Sequence, residues 1–322
     1  MRRIIDRQVF EGKPIDDEYV LTVHELGNGH REAVVRQAIG WEHVHTLTAA
    51  EASYLDEKYG EKDAEERREA NLERSARRAK TKVRRLVKSM GLDSLLTLTY
   101  RANQTDLELA KRHLKEFVRR VKRVIPGFGY VACFEQQERG AWHMHMATHK
   151  LPLKLAATNG VKVKSYGVVR AIWRSVTGEL QGNIDQARRK RNSQRSSAKL
   201  ASYLSKYMLK AYGEGDAWSN RYSASQHSIP EAQRAVFRAS SLREMIELAY
   251  AFAADGSCEI TTWLSRFGDT FYISTQLQEG PKPFDIIYIV AHLNSCFSAD
   301  HRAYRRGECA VVEELVVRCA RL

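Results

Sequence analysis

The sequence predicts an α+β fold: an antiparallel sheet carrying helices, with further segments added at both ends. Two observations predict it. Between residues 91 and 212, stretches of β-branched or alternating apolar residues take turns with stretches of helical spacing, in the order β-α-β-β-α-β and then one more helix. Pro126-Gly127, Gly140, Asn159-Gly160 and Gly178 punctuate that order. The expected division is therefore an N-terminal region 1–90 ending in a basic helix, a core 91–212 and a C-terminal accessory region 213–322. At 322 residues the chain has room for one large domain or two ordinary ones.

The first 60 residues carry few local signals. Val20–Val23 reads as a short strand, and Gly27-Asn28-Gly29 as a turn. His43-Val44-His45 is a His-x-His pair, but the chain has eleven histidines and Val35 stands where a neighbouring acid is wanted, so the pair reads as structural.

Residues 61–90 read as one helix, acidic early and basic late, as the helix dipole favours, and ended by Gly91. A charge run is ordinarily a solvated face. The run from Arg74 to Lys88 holds eight basic residues and no acid, more than solubility needs, so Arg77, Arg78, Lys82 and Arg85 are candidate phosphate contacts.

The core follows. Leu95–Tyr100 is a strand. Thr105 is placed as the N-cap of a helix reaching Val124, whose apolar positions are Leu107, Leu114, Phe117, Val118 and Val121. Tyr130–Gln136 and Ala141–His149 are strands joined by a turn at Glu138-Arg139-Gly140. After a loop, Tyr166–Thr177 is a helix with Val169, Ile172, Trp173 and Val176 inward, and a short strand lies near Asn183–Gln186. Arg188, Arg189, Lys190 and Arg191 form a basic loop and further candidate DNA contacts before a helix from Ser196 to Tyr212. This is the ferredoxin-like, split βαβ order, which makes the first and third strands central neighbours. Beyond it, Trp218–Tyr222 reads as a strand, Pro230–Phe252 as a helix and Asp269–Thr275 as a strand; residues 276–322 carry no functional signal.

Strand parity gives the chemistry its place. Alternate side chains on a strand point to opposite faces. His143 and His145 therefore share one face, and Trp142, Met144 and Met146 take the other. Glu135, on the partner strand, falls on the histidine face opposite His143. Two imidazoles and a carboxylate on one rigid surface are a mixed N/O divalent-metal site with open positions. That face needs a cover other than the two crossover helices, and the helix at 196–212 is the available one. It carries Tyr203 and Tyr207 at i and i+4, and Lys206 and Lys210 along the same stripe, with Leu200, Leu204 and Met208 as the docking edge.

Net charge is +13, which points to a polyanionic partner, nucleic acid first and an acidic membrane second. No apolar run is long enough for a transmembrane helix, and the N-terminus has no secretory h-region. The five cysteines show no Cys-x-x-Cys spacing and read as reduced thiols of a cytosolic protein.

A tyrosine, a histidine-bound metal and a basic surface suggest phenol attack on a DNA phosphodiester, with the metal polarising the phosphate. At a pKa of about 10 a phenol is a weak nucleophile at neutral pH but a good leaving group from phosphorus, so a phosphotyrosine conserves the bond energy for rejoining. Lys206 and Lys210 suit charge stabilisation.

His143-Met144-His145 followed by Tyr203-Leu-Ser-Lys206-Tyr207 resembles the His-hydrophobic-His (HUH) endonucleases, and among these the two-tyrosine rolling-circle replication initiators of single-stranded DNA phages and plasmids. Leu95–Tyr100 is similar to their first motif, Glu135 through His145 to their second and the double Tyr-x-x-Lys helix to their third. The resemblance implies an HUH endonuclease fold and metal-dependent origin nicking. The products would be a 5′-phosphotyrosine and a free 3′-hydroxyl primer, in the cytoplasm of a bacterial host. It implies Mg²⁺ or Mn²⁺ held by His143, His145 and a third ligand, Glu135 or Gln137. Either phenol can serve as nucleophile. No Gly-x-x-x-x-Gly-Lys-Ser/Thr loop is present, so a host helicase is expected alongside a polymerase. An HUH transposase or mobilisation relaxase would share this chemistry. A non-catalytic nucleic-acid-binding module would instead need exposed aromatics on the sheet face, and none stands among Cys133, Glu135, Ala141, His143, His145 and Ala147.

Overall fold

The computed structural model describes residues 1–156, 160–186, 197–213, 222–253, 258–277 and 315–317, with backbone alone at 56, 58–64, 208–213, 258 and 315–317. In chain order the elements are β1 (Arg2–Ile5), β2 (Gln8–Gly27), β3 (His30–Thr46), α1 (Ala49–Ser89), β4 (Ser94–Tyr100), α2 (Leu107–Val124), β5 (Tyr130–Gln136), β6 (Trp142–Thr148), β7 (Lys154–Ala156), β8 (Lys162–Lys164), α3 (Ser165–Thr177), a 3-10 turn (Gly178–Leu180), β9 (Gly182–Gln186), α4 (Ser197–Gly213), β10 (Tyr222–Ala224), β11 (Gln233–Arg238), α5 (Leu242–Ala253), β12 (Cys258–Leu264), β13 (Thr270–Leu277) and β14 (Leu315–Val317). They group into two units, Met1–Asp63 with Pro230–Leu322, and Ala64–Ile229. These boundaries differ from 1–90, 91–212 and 213–322, because the two ends of the chain share a sheet. β3 pairs with β13, placing Val35 beside Phe271 and Ala33 beside Ile273, a match between distant segments that local pattern cannot reveal.

The unit Ala64–Ile229 is an α+β arrangement around a five-stranded sheet of order β10-β5-β6-β4-β9, antiparallel at every pairing. Its first and third strands, β4 and β6, are central neighbours, as the order of elements implies. One face presents Leu96, Leu98, Phe134, Trp142, Met144, Met146 and Ile184. These pack beneath α2, through Leu114, Phe117 and Val121, and α3, through Val169 and Trp173. Each large apolar side chain so buried contributes about 1.5–3 kcal/mol. The other face, with Leu95, Val131, Cys133 and Ala147, is covered by Leu200, Ala201 and Leu204 of α4 and by Val83, Leu86 and Val87 of α1. The share taken by the end of the basic helix is additional to the single cover expected from residues 196–212.

Helix ends explain several differences from the expected boundaries. α1 begins far earlier than residue 61, at a capping box. Thr48 and Glu51 exchange bonds, Glu51 N to Thr48 Oγ1 at 3.2 Å and Thr48 N to Glu51 Oε2 at 2.9 Å. It ends as expected at Gly91, where φ is +63°. Leu92 N donates to Val87 O and Gly91 N to Lys88 O, both at 3.0 Å, a Schellman closure with Leu92 buried against Val87. The cap of α2 is Asp106 and not Thr105: Asp106 Oδ1 accepts from Glu108 N and Leu109 N at 2.8 and 3.1 Å. Thr105 instead accepts Trp142 Nε1 at its carbonyl, tying the start of α2 to the hairpin.

In the other unit, the short strand expected at Val20–Val23 is part of the long β2, hairpinned to β3 through Gly27-Asn28-Gly29. The helix expected over Pro230–Phe252 is split. Gln233–Arg238 is a strand paired with β2, in keeping with its Val236-Phe237 pair, and only Leu242–Ala253 is helical. Ser241 Oγ accepting from Glu244 N marks where that helix starts. β12 and the small β7–β8 hairpin have no counterpart among the expected elements, while Thr270–Leu277 matches the strand expected near 269–275.

Candidate active site

β5 and β6 are joined by a tight turn in which Gly140 N donates to Gln137 O at 2.8 Å and Gly140 takes φ +84°. The pairing is regular: Glu135 lies opposite His143 and Cys133 opposite His145. Trp142 and Met144 pack into the core of the opposite face, so burial of one set of side chains aims the other. The tip is latched by Asn103 Nδ2 donating to Arg139 O and by Trp142 N donating to Gln104 O.

On this face His145 is buried, 7% exposed, and its Nε2 donates to Glu135 Oε2 at 2.7 Å. Nδ1 is then the acceptor of the neutral ring, and Thr97 Oγ1 lies 3.4 Å from it. His143 Nε2 is buried with no hydrogen-bond partner. Burial lowers the proton affinity of both rings: at His143 the neighbouring His145 adds to it, and at His145 the bond to Glu135 opposes it. Both are therefore neutral at pH 7, with lone pairs available.

α4 lies over this pair. The Tyr207 ring stacks on His145 with centroids 4.2 Å apart and planes 11° from parallel. Tyr203 meets His145 edge-on at 6.1 Å. Tyr207 donates its hydroxyl hydrogen to the Tyr203 oxygen at 2.7 Å. Burial, then the Tyr203 bond, raises the Tyr207 pKa, so it stays a neutral phenol until a substrate or base changes its surroundings. Tyr203 is the more open of the two, 36% exposed. Lys206 is exposed one turn along; the Lys210 side chain, like Arg188, Arg189, Lys190 and Arg191, lies outside the described residues.

The expected site residues thus separate into two groups. Glu135, His143, His145, Tyr203 and Tyr207 come together. Gln137 does not join them, since its Oε1 accepts from Arg139 at 3.2 Å. Arg77, Arg78 and Lys82 lie along α1, with Arg77 paired to Glu73; Arg77 and Arg78 are exposed and Arg85 is half-buried. Thr97 is a member that sequence reasoning misses, although its alternation with Leu96 and Leu98 places it on the histidine face. The buried Cys133 below the rings has its thiol pushed up to about 12 and stays neutral. The edge strand β10 adds Tyr222 opposite Cys133, half-buried in the α1–α4 cover and so not an open stacking platform.

Among the described residues no three His, Cys, Asp or Glu side chains are already gathered as a ligand set. The donors nevertheless fit a divalent cation: two neutral imidazoles, one with a buried orphan nitrogen, beside a carboxylate that now bonds the other ring. No helix among the described residues is long and apolar enough to cross a membrane.

Residues 93–212 match the family model of replication-associated proteins of the ORF2 and gene 2 protein type. The match runs from the start of β4 to the last residues of α4 and so takes in every member of the cluster above. No curated protein and no solved structure matches the chain.

Proposed function

We propose that this chain is a rolling-circle replication initiator of the two-tyrosine HUH type, nicking and rejoining single-stranded origin DNA. The observation that carries the reading is the pair of phenols on α4 held against His145, in a strand pair that also supplies His143 and Glu135. The match to replication-associated proteins over those same elements supports it.

In this reading His143, His145 and Glu135 hold Mg²⁺ or Mn²⁺, which when bound supplies Lewis-acid polarisation of the scissile phosphate. The chain's own groups do the rest. A tyrosine oxygen forms a bond to phosphorus, and the bond from phosphorus to the 3′-oxygen breaks. The phenol loses its proton, and the departing 3′-oxygen gains one and remains as the primer hydroxyl. The 5′-phosphate stays on the tyrosine. The Tyr203–Tyr207 hydrogen bond couples the two phenols: whichever becomes an oxyanion has the other as donor. A second phenol lets a second strand transfer begin before the first end is released. Lys206 and Lys210 offer positive charge to the phosphate. A host helicase and polymerase would complete replication.

Incubating the protein with a single-stranded origin oligonucleotide and Mn²⁺ or Mg²⁺ should give a protein–DNA adduct that survives denaturation. Tyr203→Phe with Tyr207→Phe should abolish it; an undiminished adduct from that double variant would sink the mechanism. His143→Ala should stop cleavage while leaving salt-sensitive DNA binding largely intact. Loss of both together would make His143 structural.

A further inference from the structure

A second feature lies at the other edge of the same sheet. Between the end of β4, the end of α3 and the start of β9 is a cavity of about 680 Å³, lined by Thr99, Arg101, Arg170, Arg174, Gln181 and Asn183 among others. Three of these are arginines, and no carboxylate is among the lining residues. None of the three has an ion pair among the described residues. Arg101 donates to Gln181 Oε1 at 2.9 Å, and Arg170 Nε donates to Asn183 Oδ1 at 3.0 Å. Neutral amides thus orient two guanidiniums without cancelling their charge, leaving further N–H donors for an anion.

The cleft is preformed. Its floor is fixed where Gly182 N donates to Thr177 Oγ1 at 2.7 Å and Trp173 Nε1 donates to Thr99 O at 3.0 Å. A Cβ on Gly182 would sit 2.5 Å from Trp173 Nε1, so only glycine lets β9 approach α3 this closely.

Its position relates it to the histidines. Thr97 pairs with His145 on one side and Asp185 on the other. Thr99, two residues on and so on the same face, pairs with Asn183. Two strand spacings, about 10 Å, separate β6 from β9. The cleft is where the histidine face runs out across the β9 edge.

We propose that the cleft of Arg101, Arg170 and Arg174 binds the phosphodiester backbone of single-stranded DNA, on a path leading away from the His145 face. Guanidinium forks match phosphate oxygens in pairs of hydrogen bonds. The volume exceeds what an inorganic anion fills, and the polar lining gives an apolar ligand little to bury. The identity of the polyanion rests on the nicking function proposed above; the arginine cluster does not.

The test is equilibrium binding of a labelled oligothymidylate across a salt series. The full chain carries Tyr203→Phe and Tyr207→Phe so that no cleavage intervenes. Adding Arg101→Gln, Arg170→Gln and Arg174→Gln should weaken binding and lower the slope of log affinity against log salt by about 2, at roughly 0.7 for each phosphate no longer neutralised. An unchanged slope overturns the cleft. Arg174 has no side-chain partner among the described residues, so Arg174→Gln alone should fold normally and lower the slope by about 0.7. That single variant keeps the test decisive if the triple variant misfolds. Thymidine monophosphate is the second arm. If it displaces the oligothymidylate from the cleft variants as readily as from the parent, the mononucleotide binds elsewhere and the inference holds. Displacement that disappears with the three arginines makes the cleft a mononucleotide site and overturns it. Adduct formation by the otherwise unaltered chain is read separately. An adduct with an unchanged slope rejects the cleft alone. A lowered slope without any adduct rejects the nicking reading and leaves the cleft standing.

Discussion

The chain carries two His-x-His pairs on strands, and they differ in what the backbone does between the histidines. At His143–His145 the register advances evenly, Glu135 opposite His143 and Cys133 opposite His145, so both imidazoles hold one face. At His43–His45 it slips: His43 pairs with Phe10 and His45 with the adjacent Val9. Two steps on β3 answer one on β2, and the alternation that would align the rings is broken by the bulge. The surroundings differ too. His43 and His45 are exposed, and His43 Nε2 bonds Thr46 Oγ1 within its own strand. His145 is buried between Glu135, Thr97 and Tyr207. A His-x-His spacing becomes a candidate site through regular register, an acid on the next strand and a cover that removes water.

The largest expected effect follows directly. His143→Ala or His145→Ala should reduce metal-dependent adduct formation by more than the roughly 100-fold that loss of a group behind a ligand costs. His43→Ala with His45→Ala should change it by no more than about twofold, as for an exposed substitution. Chelation of the metal should reproduce the first result. Equal losses from both pairs would erase the distinction drawn between them.

The third ligand is the next test. Glu135→Ala should cost about 100-fold in adduct formation at fixed Mn²⁺, partly recovered at high Mn²⁺. Gln137→Ala should stay within about twofold, because its side chain is turned to Arg139. The reverse ranking would move the site along the hairpin.

How much of this is legible in the sequence varies with range. Parity on β5 and β6 is enough to align Glu135 with His143, because a short hairpin transmits register faithfully. The i, i+4 spacing of Tyr203 and Tyr207 likewise fixes their shared face. The cap of α2 falls one residue from its expected place because Thr105 and Asp106 both suit the role and only the hydrogen bonds choose. Thr48-Ala-Ala-Glu51 has the spacing of a capping box, a local signal that the charge pattern after residue 61 overshadows. The sheet uniting both ends of the chain is not readable, since the partner strands are too far apart in sequence for either to announce the other. Nor can spacing alone expose the bulge beside His43, which depends on what β2 offers opposite.

Acid should separate buried from exposed histidines in stability as well. Burial lowers the pKa of His143 and His145 below the ordinary value of about 6.5 that the unfolded chain restores. Between those values the unfolded chain binds more protons, so stability is complete above about pH 6.5 and is lost as pH falls through the lowered folded values. The melting temperature should therefore drop on acidification from about pH 7.5 to about 5.5, measured without metal. His143→Gln with His145→Gln should flatten that dependence, whereas His43→Gln with His45→Gln should leave its slope as it was.

The smallest effect expected is at Thr97, which tests whether the His145 ring is held or merely buried. Thr97 Oγ1 is 3.4 Å from Nδ1, a long bond beside the 2.7 Å contact to Glu135, so its share in orienting the ring should be the lesser. A hydroxyl can accept as well as donate, so it can serve the ring in either neutral tautomer. Thr97→Val keeps shape and removes the hydroxyl; it should weaken Mn²⁺ binding about tenfold, at the low end for a group behind a ligand. Thr97→Ser should restore most of it. Isothermal titration with Mn²⁺ alone reads this without depending on cleavage. If valine and serine bind alike, packing beneath Tyr207 is what orients the ring, and the regular register of β6 suffices without help from β4.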